Sequence, residues 1–236
     1  MQLIPLVSNY LETERRLLKY CRVNSDRLVN LVDVYKHGKT YFLVLEFTDA
    51  YSTVSNLMKS YRKRQRGEYS EEFCKFTIYS VLRGIQALQL EPGLLEHANL
   101  SVKSVLVNLK TAQIKIISEP GVDAKKVRDK IKDIWSQLQL FAFELAEGEE
   151  ISSSDLYNIH SIVIRNISQD GVLVPILKHR SQDYQNFIDY FENRDNIEIS
   201  DLLALPFLRG ADQHEEEFKV VVGRFQQMHR GLSAFD

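Results

Sequence analysis

The first quarter of the chain alternates apolar and polar positions in a way that predicts a small sheet with one helix. Residues 28–35 and 41–47 are rich in Val, Leu, Tyr and Phe, and a short connection containing Gly38 joins them. Two such runs with a turn glycine between them are typical of a β-hairpin. Upstream, residues 2–7 resemble the end of a strand, and residues 12–21 place apolar side chains at helical spacing among charges, which predicts an amphipathic helix.

Helical spacing of apolar residues replaces this alternation from residue 55 onward. The segment that follows Ser70 shows it most clearly and predicts a long core helix. Ser70 is a suitable N-cap because its side chain can accept a backbone hydrogen bond, and Glu71 and Glu72 suit the positive end of the helix dipole. One face then carries apolar side chains for about five turns. These are Cys74, Ile78, Val81, Leu82, Ile85 and Leu88.

The rest of the chain predicts a second hairpin followed by helices. The apolar runs at residues 105–108 and 113–117 form the hairpin pattern. A helix over residues 126–146 is apolar nearly all round after Ile131, so we expect it to be central and buried. Several short helices are predicted for residues 155–208, and a terminal helix is predicted for residues 212–228.

Composition is typical of an ordinary folded protein. Hydrophobic residues make up 44% and charged residues 26% of the 236 positions, which excludes disordered and low-complexity classes. A net charge of −2 gives no general attraction for nucleic acid. Cys21 and Cys74 belong to no metal-binding motif, so we expect both to be reduced, buried and inert. Glu12 and Glu14 come too early for a signal peptide and no apolar run would span a bilayer, so we expect an intracellular protein, cytoplasmic or nuclear.

The order of these elements and several local motifs resemble the protein-kinase fold over residues 2–208. Residues 97–104, which read His-Ala-Asn-Leu-Ser-Val-Lys-Ser, resemble the kinase catalytic loop. The strand pair that follows leads to Ser118-Glu-Pro, which resembles the metal-binding triplet. Residues 133–136 resemble the start of the buried helix of the larger kinase lobe, and residues 201–208 resemble its last helix with the Pro-Phe-Leu ending.

Upstream residues extend the resemblance to the smaller kinase lobe. Residues 14–21 resemble the regulatory helix, residues 28–35 resemble the strand after it, and Leu45-Glu46-Phe47 resembles the gatekeeper and hinge. The resemblance implies an α+β, two-lobe fold with a reduced N-lobe and a mainly helical C-lobe. It assigns residues 1–47 to the N-lobe sheet with one helix, residues 48–208 to the C-lobe, and residues 209–236 to a C-terminal helical extension.

The chain departs from the kinase pattern where phosphoryl transfer needs groups that hold the phosphates, bind magnesium and accept a proton. It has no glycine-rich loop and no strand lysine before Glu14. Asn99 stands at the catalytic Asp position, Ser101 at the loop Lys, Ser104 at the metal-binding Asn and Ser118 at the metal-binding Asp. An amide cannot accept a proton at neutral pH, and hydroxyls are poor magnesium ligands. The resemblance therefore implies no enzyme activity, no cofactor and no metal, but a pseudokinase that binds proteins as a scaffold or allosteric subunit of a larger complex.

Two other functions stay open at this point. An atypical nucleotide-binding protein or phosphotransferase would use Glu119 or Asp123 for metal. An RNA-associated subunit would use a basic patch, which could instead dock an acidic partner or be a solvated helix end. The members of this patch are Lys59, Arg62, Lys63, Arg64 and Arg66.

The terminal helix and the first sheet present two further protein-binding candidates. The apolar stripe of the terminal helix either packs on its own domain or enters a groove of a partner; the candidates for partner binding there are Phe218, Val222 and Phe225. The first sheet, around residues 41–43, would have an unpaired edge or an uncovered face if the first strands of the smaller lobe are absent. A partner or an extra segment usually covers such a surface.

Overall fold

The computed structural model describes residues 19–20, 22–23, 25–37, 40–46, 50–65, 70–90, 94, 100–117, 134–148, 180–191 and 196–230. These residues form helices and small sheets, which confirms the predicted α+β class. The elements are, in order, β1 (Leu31–His37), β2 (Thr40–Leu45), β3 (Tyr51–Thr53), α1 (Val54–Gln65), α2 (Glu71–Gln89), β4 (Val105–Asn108), β5 (Ile114–Ile116), α3 (Ile134–Glu147), α4 (Gln182–Asp189), α5 (Ile199–Ala204) and α6 (Glu215–Arg230), with 3-10 turns at Pro206–Leu208 and Ala211–His214.

The chain divides into two compact units. One consists of Met1–Val54 with Ser80–Gln137, and the other consists of Ser55–Tyr79 with Leu138–Asp236. The first unit contains both described sheets: strands β1 and β2 form one, and the order in the other is β3-β4-β5. The lobe boundaries that the resemblance places at residues 47 and 208 stay a prediction.

Strands β1 and β2 pair antiparallel from Leu31 opposite Leu45 to His37 opposite Thr40, which confirms the first predicted hairpin. The strand begins at residue 31 and not, as predicted, at residue 28. The reason is that the preceding backbone pairs elsewhere: Leu28 forms a parallel bridge with Ile116, and the Val29 N–H donates to the Ile116 carbonyl at 3.0 Å. These residues extend the second sheet beside β5.

Strands β4 and β5 form the second predicted hairpin, and β3 pairs antiparallel with β4 on its other side. The turn between β4 and β5 is stabilised by the Asn108 side chain, whose Oδ1 accepts the N–H groups of Lys110 at 2.9 Å and Thr111 at 3.2 Å. Ala112 ends the turn with a left-handed φ of 57°. The apolar side chains of both strands are buried, so this hairpin lies in the core of the first unit.

Helix α2 confirms the predicted core helix. The six apolar residues predicted for its buried face are at most 1% exposed. Ser70 caps the helix as predicted, because its hydroxyl accepts the Phe73 N–H at 3.3 Å. Gly84 allows a close approach to the second sheet: a Cβ there would lie 2.6 Å from Ile116 Cδ1 and 3.3 Å from the Arg27 carbonyl.

The second unit has a core of aromatic side chains between helices. The rings of Tyr184 and Phe207 meet edge to face at 4.6 Å, and the Tyr184 hydroxyl donates to the Ala142 carbonyl at 2.7 Å. Ser181 caps α4 by accepting the Tyr184 N–H, and both its N–H and its hydroxyl donate to Glu71. Tyr184 and Phe207 are 0% and 1% exposed, so these contacts connect the chain segments of the unit through its interior.

Helix α3 is central and buried as predicted, although the described helix begins at Ile134 and residues 126–133 of the predicted span lie outside the described residues. Short helices follow between residues 182 and 208, as predicted, whereas residues 155–179 of the predicted span lie outside the described residues. The terminal helix α6 begins at Glu215 and not at residue 212, because residues 211–214 form a 3-10 turn after Gly210, which has a left-handed φ of 69°.

Cys74 is buried and reduced, as predicted. Burial raises the pKa of its thiol to about 12, so the thiol is protonated at neutral pH and is a poor nucleophile. Cys21 lies outside the described residues. In the described part of the chain, every helix is too short or too polar to cross a membrane.

Candidate functional site

The loop that resembles the kinase catalytic loop precedes β4, and the structure describes it from Leu100 onward. The Leu100 N–H donates to Gln137 Oε1 in the first turn of α3 at 2.7 Å. At the other end, the Ile117 N–H donates to the Ser104 carbonyl at 2.8 Å. Leu100, Ser101 and Val102 are buried. The loop is therefore fixed between α3 and the end of β5.

Ser101 and Ser104 close this loop into a hydrogen-bonded turn. Ser101 Oγ accepts the backbone N–H groups of Lys103 and Ser104, both at 3.2 Å. Ser104 Oγ accepts the Ser101 N–H at 2.8 Å and donates to the Ser101 carbonyl at 3.1 Å. Hydroxyls that bond the neighbouring backbone in this way stabilise turns. A hydroxyl oxygen has two lone pairs, so those of Ser101 are both occupied.

This turn makes Ser101 and Ser104 poorly suited to bind magnesium or phosphate. To coordinate a cation, Ser101 would have to release a backbone N–H group, and a neutral hydroxyl is a weaker magnesium ligand than a carboxylate. Neither serine carries a positive charge that could neutralise a phosphate. Among the residues that the structure describes, no group of three or more His, Cys, Asp or Glu side chains could hold a metal ion.

The structure therefore brings together two of the four degenerate positions that the sequence singled out, Ser101 and Ser104. The other two, Asn99 and Ser118, lie outside the described residues. Glu119 and Asp123, the alternative metal ligands, also lie outside them.

A partly buried ion pair lies at the end of β2, in the segment that resembles the hinge. The Lys115 side chain is 7% exposed, and its Nζ donates to Glu46 Oε1 at 2.7 Å. Asn30 Nδ2 donates to Glu46 Oε2 at 2.5 Å, and the Tyr51 hydroxyl lies 3.5 Å from Oε1. Partial burial would by itself raise the pKa of Glu46, but the hydrogen bond and charge of Lys115, together with Asn30, lower that pKa below its ordinary value. Glu46 is therefore ionised at neutral pH and neutralises Lys115.

The pairing of Glu46 with Lys115 was not predicted from the sequence, although one signal for it exists. Lys115 stands between Ile114 and Ile116 in an apolar strand, and a buried charge needs a partner. The partner is 69 positions away along the chain. Its identity depends on which segment lies beside β5, and local patterns carry no information about that.

The basic patch is described only in part. Lys59 is exposed on α1. Arg62, Lys63 and Arg64 follow on the same helix, but their side chains lie outside the described part, as does the whole of Arg66. Docking of an acidic partner or of RNA at this patch stays a prediction.

The apolar stripe of α6 packs inside its own unit. Phe218 is fully buried and stacks on Phe73 of α2, with 5.2 Å between the ring centroids. Val222 and Phe225 are 1% and 3% exposed. Of the two alternatives for this stripe, the structure shows packing on its own domain. The expected partner-binding role of Phe218, Val222 and Phe225 is corrected accordingly, because an exposed handle requires side chains that other residues of the chain do not already cover.

The first sheet presents exposed apolar side chains on β1. Val32 is 66% exposed and Tyr35 is 55% exposed. Phe42 on β2 is half-buried, and the side chains of Tyr41 and Leu43 lie outside the described part. Within the described residues, β1 and β2 form a sheet without a third strand.

Comparison with known proteins does not place the chain in a family: no protein-family model matches it, and no curated protein matches it. The functional conclusion therefore depends on the residues and their geometry.

Proposed function

We propose that the chain is a catalytically inactive protein-kinase-like domain that functions by binding other proteins, as a scaffold or as an allosteric subunit of a complex. Support comes first from the order of elements. A hairpin, a short helix, the long helix α2, a loop with a strand pair and the buried helix α3 follow one another as in the resemblance. A fold does not by itself imply a function, so the argument against catalysis depends on individual residues.

The turn formed by Ser101 and Ser104 is the observation that carries the proposal. At these two positions, the resemblance places a lysine that contacts phosphate and an asparagine that binds magnesium. In this protein the two side chains instead bond each other's backbone. Their hydroxyls stabilise the loop, and they carry no charge that could neutralise a triphosphate. The loop is therefore suited to a structural role and not to phosphate binding.

A thermal-shift titration with Mg·ATP tests the proposal. A ligand that binds only the folded state raises the melting temperature, and a concentration of about 100 times its Kd stabilises the fold by about 2.7 kcal/mol. We expect no shift at millimolar Mg·ATP and no phosphate transfer to a general protein substrate. An active protein kinase, measured in parallel, serves as the positive control.

The opposite result would favour the alternative of an atypical nucleotide-binding protein. A magnesium-dependent shift that Glu119→Gln abolishes would contradict the proposal, because it would assign a metal-binding role to the residue after Ser118. The protein-binding half of the proposal has its own test. The full chain, purified from its native source, should retain protein companions in fixed ratio, and recovery of the chain alone would count against a scaffold.

A further inference from the structure

The attachment of hairpin β1–β2 to the second sheet combines the backbone pairing of residues 27–29 beside β5, an apolar cluster and one ion pair. The cluster consists of Val29, Leu45 and Leu106, with partly buried neighbours packed against it, which are Leu31, Val34, Tyr51 and Ile117. Apolar contacts are non-directional, so they constrain the position of the hairpin less strictly than hydrogen bonds do. The cluster alone therefore specifies the position of the hairpin weakly.

Contacts within hairpin β1–β2 also constrain the pairing register of its two strands only weakly. It has two strands among the described residues, and an isolated two-stranded sheet is marginal in water. The pairing is irregular between Leu31 and Asp33. The burial of β1 does not alternate cleanly, because Val32 and Asp33 are both exposed. Register is poorly specified where a strand has no single buried face.

The contacts of Glu46 are directional, so they specify the position of the hairpin more strictly than the apolar cluster does. Glu46 follows the last residue of β2, and its N–H donates to the Asn30 carbonyl at 2.8 Å. Its two carboxylate oxygens receive Lys115 Nζ and Asn30 Nδ2. A shift of β2 by one residue would turn Glu46 to the opposite face, because side chains alternate along a strand. Lys115 would then remain buried without its counter-charge.

We propose that the Glu46–Lys115 ion pair fixes the register in which hairpin β1–β2 docks on the β3–β4–β5 sheet. The ion pair thereby also fixes the orientation of β1, the strand that exposes Val32 and Tyr35. Buried polar groups specify one arrangement in some other folds. This role does not depend on the proposed function, because it concerns the conformation of the first unit alone.

Hydrogen exchange on the full chain separates a role in register from a role in stability. The double variant Glu46→Leu with Lys115→Met replaces the pair by apolar side chains of similar size, a change that is often neutral or stabilising for a buried pair. We expect an unchanged or raised melting temperature. We also expect the amides of residues 31–37 and 40–45 to exchange at least about tenfold faster, while those of α2 keep their protection. Wild-type protection in the hairpin would overturn the proposal.

Matched variants cover the other outcomes. The same substitutions at the exposed pair Glu216–Lys219 on α6, whose side chains are 79% and 40% exposed, should leave hairpin exchange unchanged. If the apolar double variant does not fold, the charge swap Glu46→Lys with Lys115→Glu is compared with Glu46→Lys alone. Restoration of hairpin protection by the swap supports the proposal, and a swap no better protected than the single variant overturns it.

Discussion

The two hairpins of the first unit have opposite surroundings. Strands β4 and β5 have neighbours on both sides, with β3 paired to β4 and residues 27–29 beside β5. Their residues Val105, Val107 and Ile114 are fully buried. Hairpin β1–β2 has no third strand among the described residues, and its Val32 and Tyr35 are more than half exposed. The hairpin pattern was readable in both cases, but that pattern alone does not determine how much a hairpin buries, because burial also depends on the segments that pack beside it.

The two hairpins also differ in the surroundings of their lysines. Lys36 in β1 is exposed, whereas Lys115 in β5 is buried and its charge is balanced by Glu46. A lysine in the exposed hairpin can be solvated, but one in the buried hairpin requires a partner from another segment. The buried hairpin therefore depends on the exposed one for its charge balance.

The largest expected effect compares one truncation in each hairpin. Ile114→Ala in β5 should lower the free energy of unfolding by about 3 kcal/mol, because it leaves a cavity in a packed core. Val32→Ala in β1 should change it by less than about 0.5 kcal/mol, because that side chain is 66% exposed. Urea denaturation of both variants measures the difference. Equal losses would show that the two hairpins are packed alike.

A second comparison tests how closely α2 approaches the buried hairpin. Gly84→Ala should destabilise the protein by about 1 kcal/mol, because the new Cβ would overlap Ile116 Cδ1 and crowd the Arg27 carbonyl. Gly223→Ala on α6 is the matched control. No atom lies within 4 Å of its new Cβ, so the gain in helix propensity should stabilise the protein by about 1 kcal/mol. Thermal unfolding of both variants gives the signs, and a stabilising Gly84→Ala would contradict the close approach.

The smallest expected effect concerns the ion pair that joins the hairpins. Glu46→Gln should lower the free energy of unfolding by about 1 kcal/mol at pH 7. This value is smaller than that for a fully buried ion pair because the Glu46 side chain is 32% exposed. The folded-state pKa of Glu46 is lowered, so its contribution is complete above the ordinary value of 4.5 and is lost as the pH falls through the lower folded-state pKa. Urea denaturation between neutral and acidic pH should show the two proteins converging below pH 4.5. A difference in the free energy of unfolding that persists unchanged in acid would contradict the ionised Glu46–Lys115 pair as its cause.

Much of the fold was predictable from local patterns, whereas the candidate site was predictable only in part. The Ser70 cap, the buried face of α2 and both hairpins follow from spacings within about 20 residues, because the periods of helices and strands are local properties. That Ser101 and Ser104 lie in a loop resembling the kinase catalytic loop was also readable from the sequence. Their mutual hydrogen bonds were not, because these depend on the turn that the backbone adopts between them.

By itself, the sequence determined the type and order of the described helices and of both hairpins, but not strand β3, and it placed uncharged side chains at Ser101 and Ser104. Tertiary structure alone decided that the α6 stripe faces Phe73, that the backbone of residues 28–29 pairs with β5 and not within β1, and that Lys115 meets Glu46. The physical reason is that the period of an element is set by bonds between near neighbours. Burial and charge pairing, in contrast, are set by contacts between segments that only the folded chain brings together.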